Sequence, residues 1–332
     1  MSYTANEQRY GEMIYRACGR SGLKLPRLSL GLWHNFGTND DYQNMTNMCF
    51  AAFDRGVTHF DLANNYGPIP GSAEENFGKI LREEFASYRD QMIISTKAGY
   101  TMWPGPYGDW GSRKYLLASL DQSLKRMGLP YVDVFYHHRM DKDTPLEESM
   151  MALDTAVKSG RALYAGLSNY DNATARKAAG ILKELRCPFV LNQVRYSIFD
   201  RHIETDALDQ AADEAGFGII CFSPLAQGLL TDRYIDGIPA DSRIGRGGPF
   251  LKREQLTEEK LTQIRALNEI ARSRNQSLSQ LALSWVLRMP QVTSVLIGAS
   301  SPEQIIQNLG AVQAPALSQE ELQAIDRMTG VK

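Results

Sequence analysis

Cysteine and histidine are scarce in this chain, with four of the first and five of the second among 332 residues. Cys18, Cys49, Cys187 and Cys221 stand apart without a CxxC pair, and no HxxxH or HExxH spacing occurs. Zinc sites and thiol redox chemistry are therefore set aside, and no metal is expected. A GxSxG elbow is missing, which argues against a serine hydrolase. Also missing is GxGxxG after a strand, the usual phosphate-binding turn of dinucleotide enzymes. No apolar run approaches the roughly 18 residues that a membrane helix needs. Charges of both signs are mixed to a net −2, with no basic or acidic block to suit nucleic acid or an anionic membrane. The polar start lacks the apolar stretch of a secretory signal, so a cytoplasmic protein with reduced cysteines is expected.

What is present is a chain 43% hydrophobic and 22% charged, enough for one large core over residues 1–332. Short β-branched and aromatic runs alternate with longer helical patterns. The runs fall at 27–33, 58–61, 92–97, 132–138, 162–168, 189–194, 217–223 and 293–298. Helical patterns follow at 41–55, 73–85, 113–127, 145–159, 172–185, 203–215, 258–274 and 302–309. Pro145 and Pro302 suit a first helical turn. Gly56, Gly128, Gly160 and Gly216 stand where a left-handed residue ends a helix. Eight such units predict an α/β fold with a parallel sheet, whose natural closure is a (β/α)8 TIM barrel, although an open doubly wound sheet gives the same alternation. An N-terminal β-hairpin is expected near 13–27, an extra C-terminal helix at 317–328, and a long loop at about 228–254. Loops of that length inside a compact domain are usually functional.

Asp61, Tyr66, Lys97 and His138 each stand at or just past a strand end, which is where barrel enzymes place their chemistry. Tyr66 is the candidate general acid. A free phenol, with a pKa near ~10, donates poorly at neutral pH. A nearby Lys97 ammonium is expected to lower that value, with Asp61 holding the lysine. His138 would orient a carbonyl oxygen. His137 and His138 alternate faces, and parity does not say which one points inward. Lys97 could instead form an imine, as in a barrel aldolase. Gly298 to Ser301 opens the helix at Pro302, so its N–H groups could hold a phosphate. The basic loop after strand seven lies beside that spot and could take a second phosphate such as the 2′-phosphate of NADPH. Tyr196 could stack on a nicotinamide ring, Trp33 and Trp103 could wall a pocket, and Arg113 or Arg139 could meet a substrate phosphate.

These residues, taken in order over nearly the whole length, resemble the aldo-keto reductases. Phe60, Asp61, Tyr66 and Gly67 look like the aspartate–tyrosine signature, which Lys97 and His138 complete. The resemblance implies that Ser168, Asn169, Gln193 and Tyr196 meet the nicotinamide, with Trp33 close to the cofactor. Phe222, Ser223, Pro224, Leu225, Ala226, Gln227 and Gly228 look like the pyrophosphate loop. Gly298, Ser300, Gln304, Gln307 and Asn308 resemble the adenosine segment. Arg233 and Arg243 are implied as phosphate partners of the cofactor. Segments at 64–74, 103–108 and 224–231 resemble the branch of bacterial L-glyceraldehyde 3-phosphate reductases, close to the voltage-gated potassium channel β subunits. That implies an NADPH-dependent reductase of short aldehydes, methylglyoxal included, acting on small molecules and assembling as a tetramer or larger. A cofactor-loaded accessory subunit with little turnover is the alternative within this resemblance. One departure is Ala299, where many members carry a cation, so that NADP over NAD rests on Arg243. The other is the end at Lys332 without a long closing loop, which predicts broad specificity.

Overall fold

The computed structural model describes residues 3–330, apart from 241, 243, 246 and 248–250. An antiparallel hairpin comes first, β1 (Tyr15–Ala17) and β2 (Lys24–Pro26). Eight strands follow: β3 (Leu28–Gly31), β4 (His59–Asp61), β5 (Ile93–Ala98), β6 (Val132–His137), β7 (Ala162–Ser168), β8 (Phe189–Arg195), β9 (Gly218–Phe222) and β10 (Val292–Ile297). All pair in parallel, and β10 bonds to both β3 and β9, which closes the barrel. Closure decides against the open sheet.

The helices are α1 (Tyr42–Phe53), α2 (Ser72–Glu84), α3 (Arg113–Met127), α4 (Leu146–Lys158), α5 (Asn172–Glu184), α6 (His202–Thr205), α7 (Leu208–Ala215), α8 (Glu258–Ser273), α9 (Leu278–Leu287), α10 (Pro302–Leu309) and α11 (Gln319–Thr329). Asp41, Ser112, Asp171 and Thr257 each accept the backbone N–H three residues on, fixing where α1, α3, α5 and α8 begin. At Gly128 and Gly216, with φ of 67° and 83°, the chain turns left-handed and ends α3 and α7.

Three details differ from expectation. The pattern at 203–215 is two helices, because Ala207 takes φ 56° and breaks the run. Pro145 caps α4 from outside, whereas Pro302 does open α10. The helix α9 was not foreseen. Seven of its ten residues are apolar, so its period is weak, although Ser277 and Gln280 form a capping box at its start.

Strand alternation sorts the core into two layers. Outward residues such as Phe60, Phe135, Ile219 and Val295 pack under the helices. Inward Val134, Tyr136, Leu191, Ile220 and Leu296 fill the barrel, and Cys18 and Leu25 of the hairpin join them. Burying each large aliphatic side chain is worth about 1.5–3 kcal/mol. Tyr136 needs a bare neighbour: a Cβ on Gly166 would meet its ring at 2.4 Å. The four cysteines are buried, unpaired thiols. Among the described residues no helix is long and apolar enough to cross a membrane.

Candidate active site

Above the apolar filling the barrel interior turns polar. Asp61 ends β4 and Lys97 lies one residue before the end of β5. Lys97 Nζ donates to Asp61 Oδ2 at 2.6 Å and to the carbonyl of Leu62. The two side chains are 0% and 1% exposed. Stripping water from such a pair costs several kcal/mol per ion, which only tight geometry and further hydrogen bonds offset. Those bonds are present: Asp61 Oδ1 accepts from Ser95 at 2.6 Å and from Gln193 at 3.1 Å. Burial pushes the Lys97 ammonium below its ordinary value, and Asp61 pulls against that shift.

Tyr66 sits in the loop after β4, with Lys97 Nζ 4.9 Å from its ring centre. The expected lowering of its pKa is not what the structure shows. Burial, then the Asp61 charge, then Tyr100 hold the phenol well above its ordinary value. Tyr66 is thus fully protonated at neutral pH. No described side chain hydrogen-bonds its hydroxyl.

His138 follows the last residue of β6, its ring 6.0 Å from that of Tyr66 and nearly perpendicular. Burial first, then the Lys97 charge, keep its imidazole far below the ordinary value, hence neutral. Its Nδ1 is buried without a partner. His137 takes the opposite face, with Nδ1 2.7 Å from the Tyr170 hydroxyl. That settles the parity left open by the sequence: His138 faces the mouth.

On the opposite rim lie Ser168 at the end of β7, Asn169, and Gln193 on β8. Asn169 takes φ 58° and donates to the His138 carbonyl at 3.0 Å and to Ser168 Oγ at 3.1 Å. Two amides and a hydroxyl beside the phenol fit the carboxamide of a nicotinamide, which needs both donors and acceptors. After β9, Ser223, Ala226 and Gln227 all have positive φ, as does Gly228, and Gln227 donates to Ser223 Oγ at 3.0 Å. Successive left-handed residues shape backbone concavities that suit anions. Pro224 is buried within this turn, and Leu225 is half-buried. At the start of α10, Ser300 N donates to Gln304 Oε1 at 2.9 Å, while Asn35 and Asn44 anchor the carbonyls of Ala299 and Ser300. Gly298, Ser300, Gln304 and Gln307 are exposed, whereas Asn308 is buried. Arg233 lies exposed in a short 3-10 turn, and Arg243 falls outside the described residues. The donor set therefore fits a dinucleotide along this rim.

Tyr196 does not join that rim. Its surface is fully covered, its ring packs on Trp285 at 5.1 Å, and its hydroxyl is bonded to Glu204 and, at 2.7 Å, to Arg288. No ring face is left for a nicotinamide. The aromatic that remains half-exposed at a strand end is Phe222. Trp33 lies 6.3 Å from Tyr66, consistent with a wall of the mouth. Trp103 packs on Tyr115 at 5.3 Å. Arg113 is exposed and donates to the Met151 carbonyl. Arg139 is sandwiched between Tyr100 and Trp110 and paired with Asp109 at 2.7 Å. Tyr100, missed in the sequence, meets His138 edge-on at 4.6 Å. His59 and Ser95 were missed too, although period-two alternation places them on the faces of Asp61 and Lys97. Among the described residues no cluster of His, Cys, Asp or Glu could hold a metal.

A model of the aldo/keto reductase family matches residues 27–329. The chain is 55% identical over 330 residues to an L-glyceraldehyde 3-phosphate reductase of Escherichia coli K12, which covers 98% of this chain and 95% of that protein. It is 37% identical over 325 residues to a putative voltage-gated potassium channel subunit beta of Schizosaccharomyces pombe, at 95% and 92% coverage. Against a probable channel subunit beta of Arabidopsis thaliana the identity is 36% over 323 residues, at 95% and 96% coverage.

Proposed function

The chain belongs to the aldo/keto reductase family, and from that premise we propose an NADPH-dependent reductase of short aldehydes, with L-glyceraldehyde 3-phosphate and methylglyoxal among its substrates. The observation that carries this reading is the Tyr66 hydroxyl. It is protonated, bonded to no described side chain, and flanked by Lys97 and a neutral His138.

Bound nicotinamide would supply the hydride to the carbonyl carbon. The chain's own residues handle the oxygen. His138 donates to it from Nε2 and so fixes its direction. As negative charge develops there, Tyr66 gives up its proton, and the Lys97 ammonium stabilises the phenolate left behind. Because Tyr66 resists ionisation, it is always loaded as an acid. Ser168, Asn169 and Gln193 hold the carboxamide, and Phe222 takes the ring-stacking role that Tyr196 is too enclosed to fill. The turn at 223–228 receives the pyrophosphate. Arg233 and the start of α10 meet the adenosine end, together with Arg243. The imine reading of Lys97 gains nothing, since its nitrogen is enclosed and already bonded to Asp61 and Leu62. Of the two candidate phosphate anchors, Arg139 is nearer the mouth, one aromatic ring away from His138.

Fluorescence titration with NADPH and NADH, followed by steady-state assays with the two aldehydes, tests this reading. Tight NADPH binding, weakened by Arg233→Ala, with turnover of both aldehydes is expected. Binding without turnover of any aldehyde would restore the accessory-subunit reading.

A further inference from the structure

Beneath the Asp61–Lys97 pair, the barrel interior holds four polar side chains to which the reductase reading gives no task. Ser95, His59, Ser29 and Ser294 are all fully buried. They come from β5, β4, β3 and β10, which neighbour one another in the barrel. Ser95 Oγ lies 2.6 Å from Asp61 Oδ1, and His59 Nε2 lies 2.9 Å from Ser95 Oγ. On the other side, His59 Nδ1 is 2.9 Å from Ser29 Oγ, which is 2.6 Å from Ser294 Oγ.

The direction of every hydrogen in this chain follows by elimination. A carboxylate only accepts, so Ser95 gives its single proton to Asp61. Ser95 must then accept from His59, which places the imidazole proton on Nε2. Burial pushes His59 down to about 4, so at neutral pH the ring carries that one proton and Nδ1 accepts from Ser29. Ser29 in turn accepts from Ser294. All four hydrogens point towards Asp61, and the ring has one tautomer. Aligned bonds in a low-dielectric interior polarise and strengthen each other.

We propose that His59 is a positioning residue that, through Ser95, fixes the Asp61 carboxylate and with it the place of Lys97 beneath Tyr66. This rests on the reductase reading of Tyr66. No proton travels along the chain of bonds, whose far end, Ser294, is enclosed. Asp61 Oδ1 also accepts from Gln193, so losing Ser95 leaves that oxygen with one donor and lets the carboxylate rotate away from Lys97. His59 itself touches neither substrate nor cofactor, and within the reaction its influence falls on kcat rather than on KM.

The test compares wild type, His59→Leu, His59→Gln, Ser95→Ala and the His59→Leu/Ser95→Ala double variant in NADPH-dependent reduction of methylglyoxal. Residues that orient metal ligands through hydrogen bonds change activity about 10–100-fold when replaced, and an effect of that order is expected for this carboxylate. His59→Leu should lose that much kcat while KM and the NADPH Kd stay within about twofold. Glutamine keeps a donor towards Ser95 and an acceptor towards Ser29, so His59→Gln should recover most of the loss. The double variant should be no worse than the poorer single one, as coupled positions are non-additive. Should His59→Leu fail to fold, Ser95→Ala decides by the same kcat criterion. Nitrogen-15 NMR of the unliganded chain adds a readout apart from activity, with the Nε2–H tautomer expected at neutral pH. A folded His59→Leu with wild-type kcat, leucine and glutamine variants equally impaired, or the Nδ1–H tautomer would each overturn the proposal. A wild type that reduces no aldehyde overturns the reductase reading and this one with it. An active wild type with an unaffected variant overturns this one alone.

Discussion

Two regions of this molecule are built from the same three kinds of group. Inside the barrel are Asp61, Lys97 and Tyr66; outside it, between β8 and α9, are Glu204, Arg288 and Tyr196. In the outer set every group is satisfied by the others. Arg288 donates to Glu204 at 2.8 Å and to the Tyr196 hydroxyl, its guanidinium lies 3.6 Å over Trp285, and Glu204 accepts a hydrogen bond from the phenol. In the inner set the cation and carboxylate bond each other and leave the phenol out. The outer triad is therefore closed and structural, whereas the inner one keeps an unpaired donor at the mouth of a barrel. Composition does not separate the two sets. Who is bonded to whom does.

The sharpest way to break this contrast is the same substitution in both places. Tyr66→Phe removes the proposed acid and should lower kcat by about 10²–10⁴, while NADPH still binds, since general-acid catalysis contributes on that scale. Tyr196→Phe removes one hydroxyl beside a Glu204–Arg288 pair that stays bonded and partly open to water. It should destabilise by about 0.5–1.5 kcal/mol in denaturant melts and leave kcat nearly unchanged. A Tyr66→Phe enzyme with near-normal kcat would remove the assignment of the acid.

Stability reverses which triad's cation is dispensable. Lys97→Met leaves Asp61 charged, unpaired and fully buried, a loss of about 3–5 kcal/mol. Arg288→Met leaves Glu204 more than a quarter exposed and able to take water. Its loss should be nearer 1 kcal/mol, in the range of partly solvated pairs. Equal losses in urea unfolding would mean that burial does not set the difference.

Much of this was legible in the sequence because barrel strands announce themselves. Asp61, Lys97 and His138 fall at strand ends whatever the details, and the alternation of units fixed their order around the barrel. Tyr196 was misplaced because one residue past a strand end does not reveal whether a ring turns towards the mouth or under a neighbouring helix. The helix it packs against, α9, is mostly apolar and weakly periodic, so its Trp285 was invisible as a partner. The pKa direction of Tyr66 was misjudged for a related reason. Sequence gives a lysine nearby and an aspartate to hold it, but not the burial of the phenol, which ahead of the Asp61 charge sets the direction. His59 and Ser95 carried a readable signal, two residues before Asp61 and Lys97, and only their mutual contact was hidden.

The smallest of these effects concerns acid, and it again separates inside from outside. His59 is held at about 4 by burial, against about 6.5 in an unfolded chain. A folded-state value below the unfolded one means that the unfolded chain binds the proton first as pH falls. The stability from keeping His59 neutral is therefore complete above pH ~6.5 and is lost as pH drops towards 4. The gap between those two values corresponds to about 3 kcal/mol, most of it gone by pH ~4.5. His59→Gln has nothing to protonate. Its unfolding free energy should fall about 2–3 kcal/mol less than that of wild type between pH 7 and 4.5, with all other groups common to both. His202, exposed and paired with Asp200, is the control from outside the barrel. His202→Gln should leave the acid dependence close to that of wild type, because the substitution removes nothing from the barrel interior. If His202→Gln instead flattened the profile as much as His59→Gln, burial inside the barrel would not be what ties this protein's stability to pH.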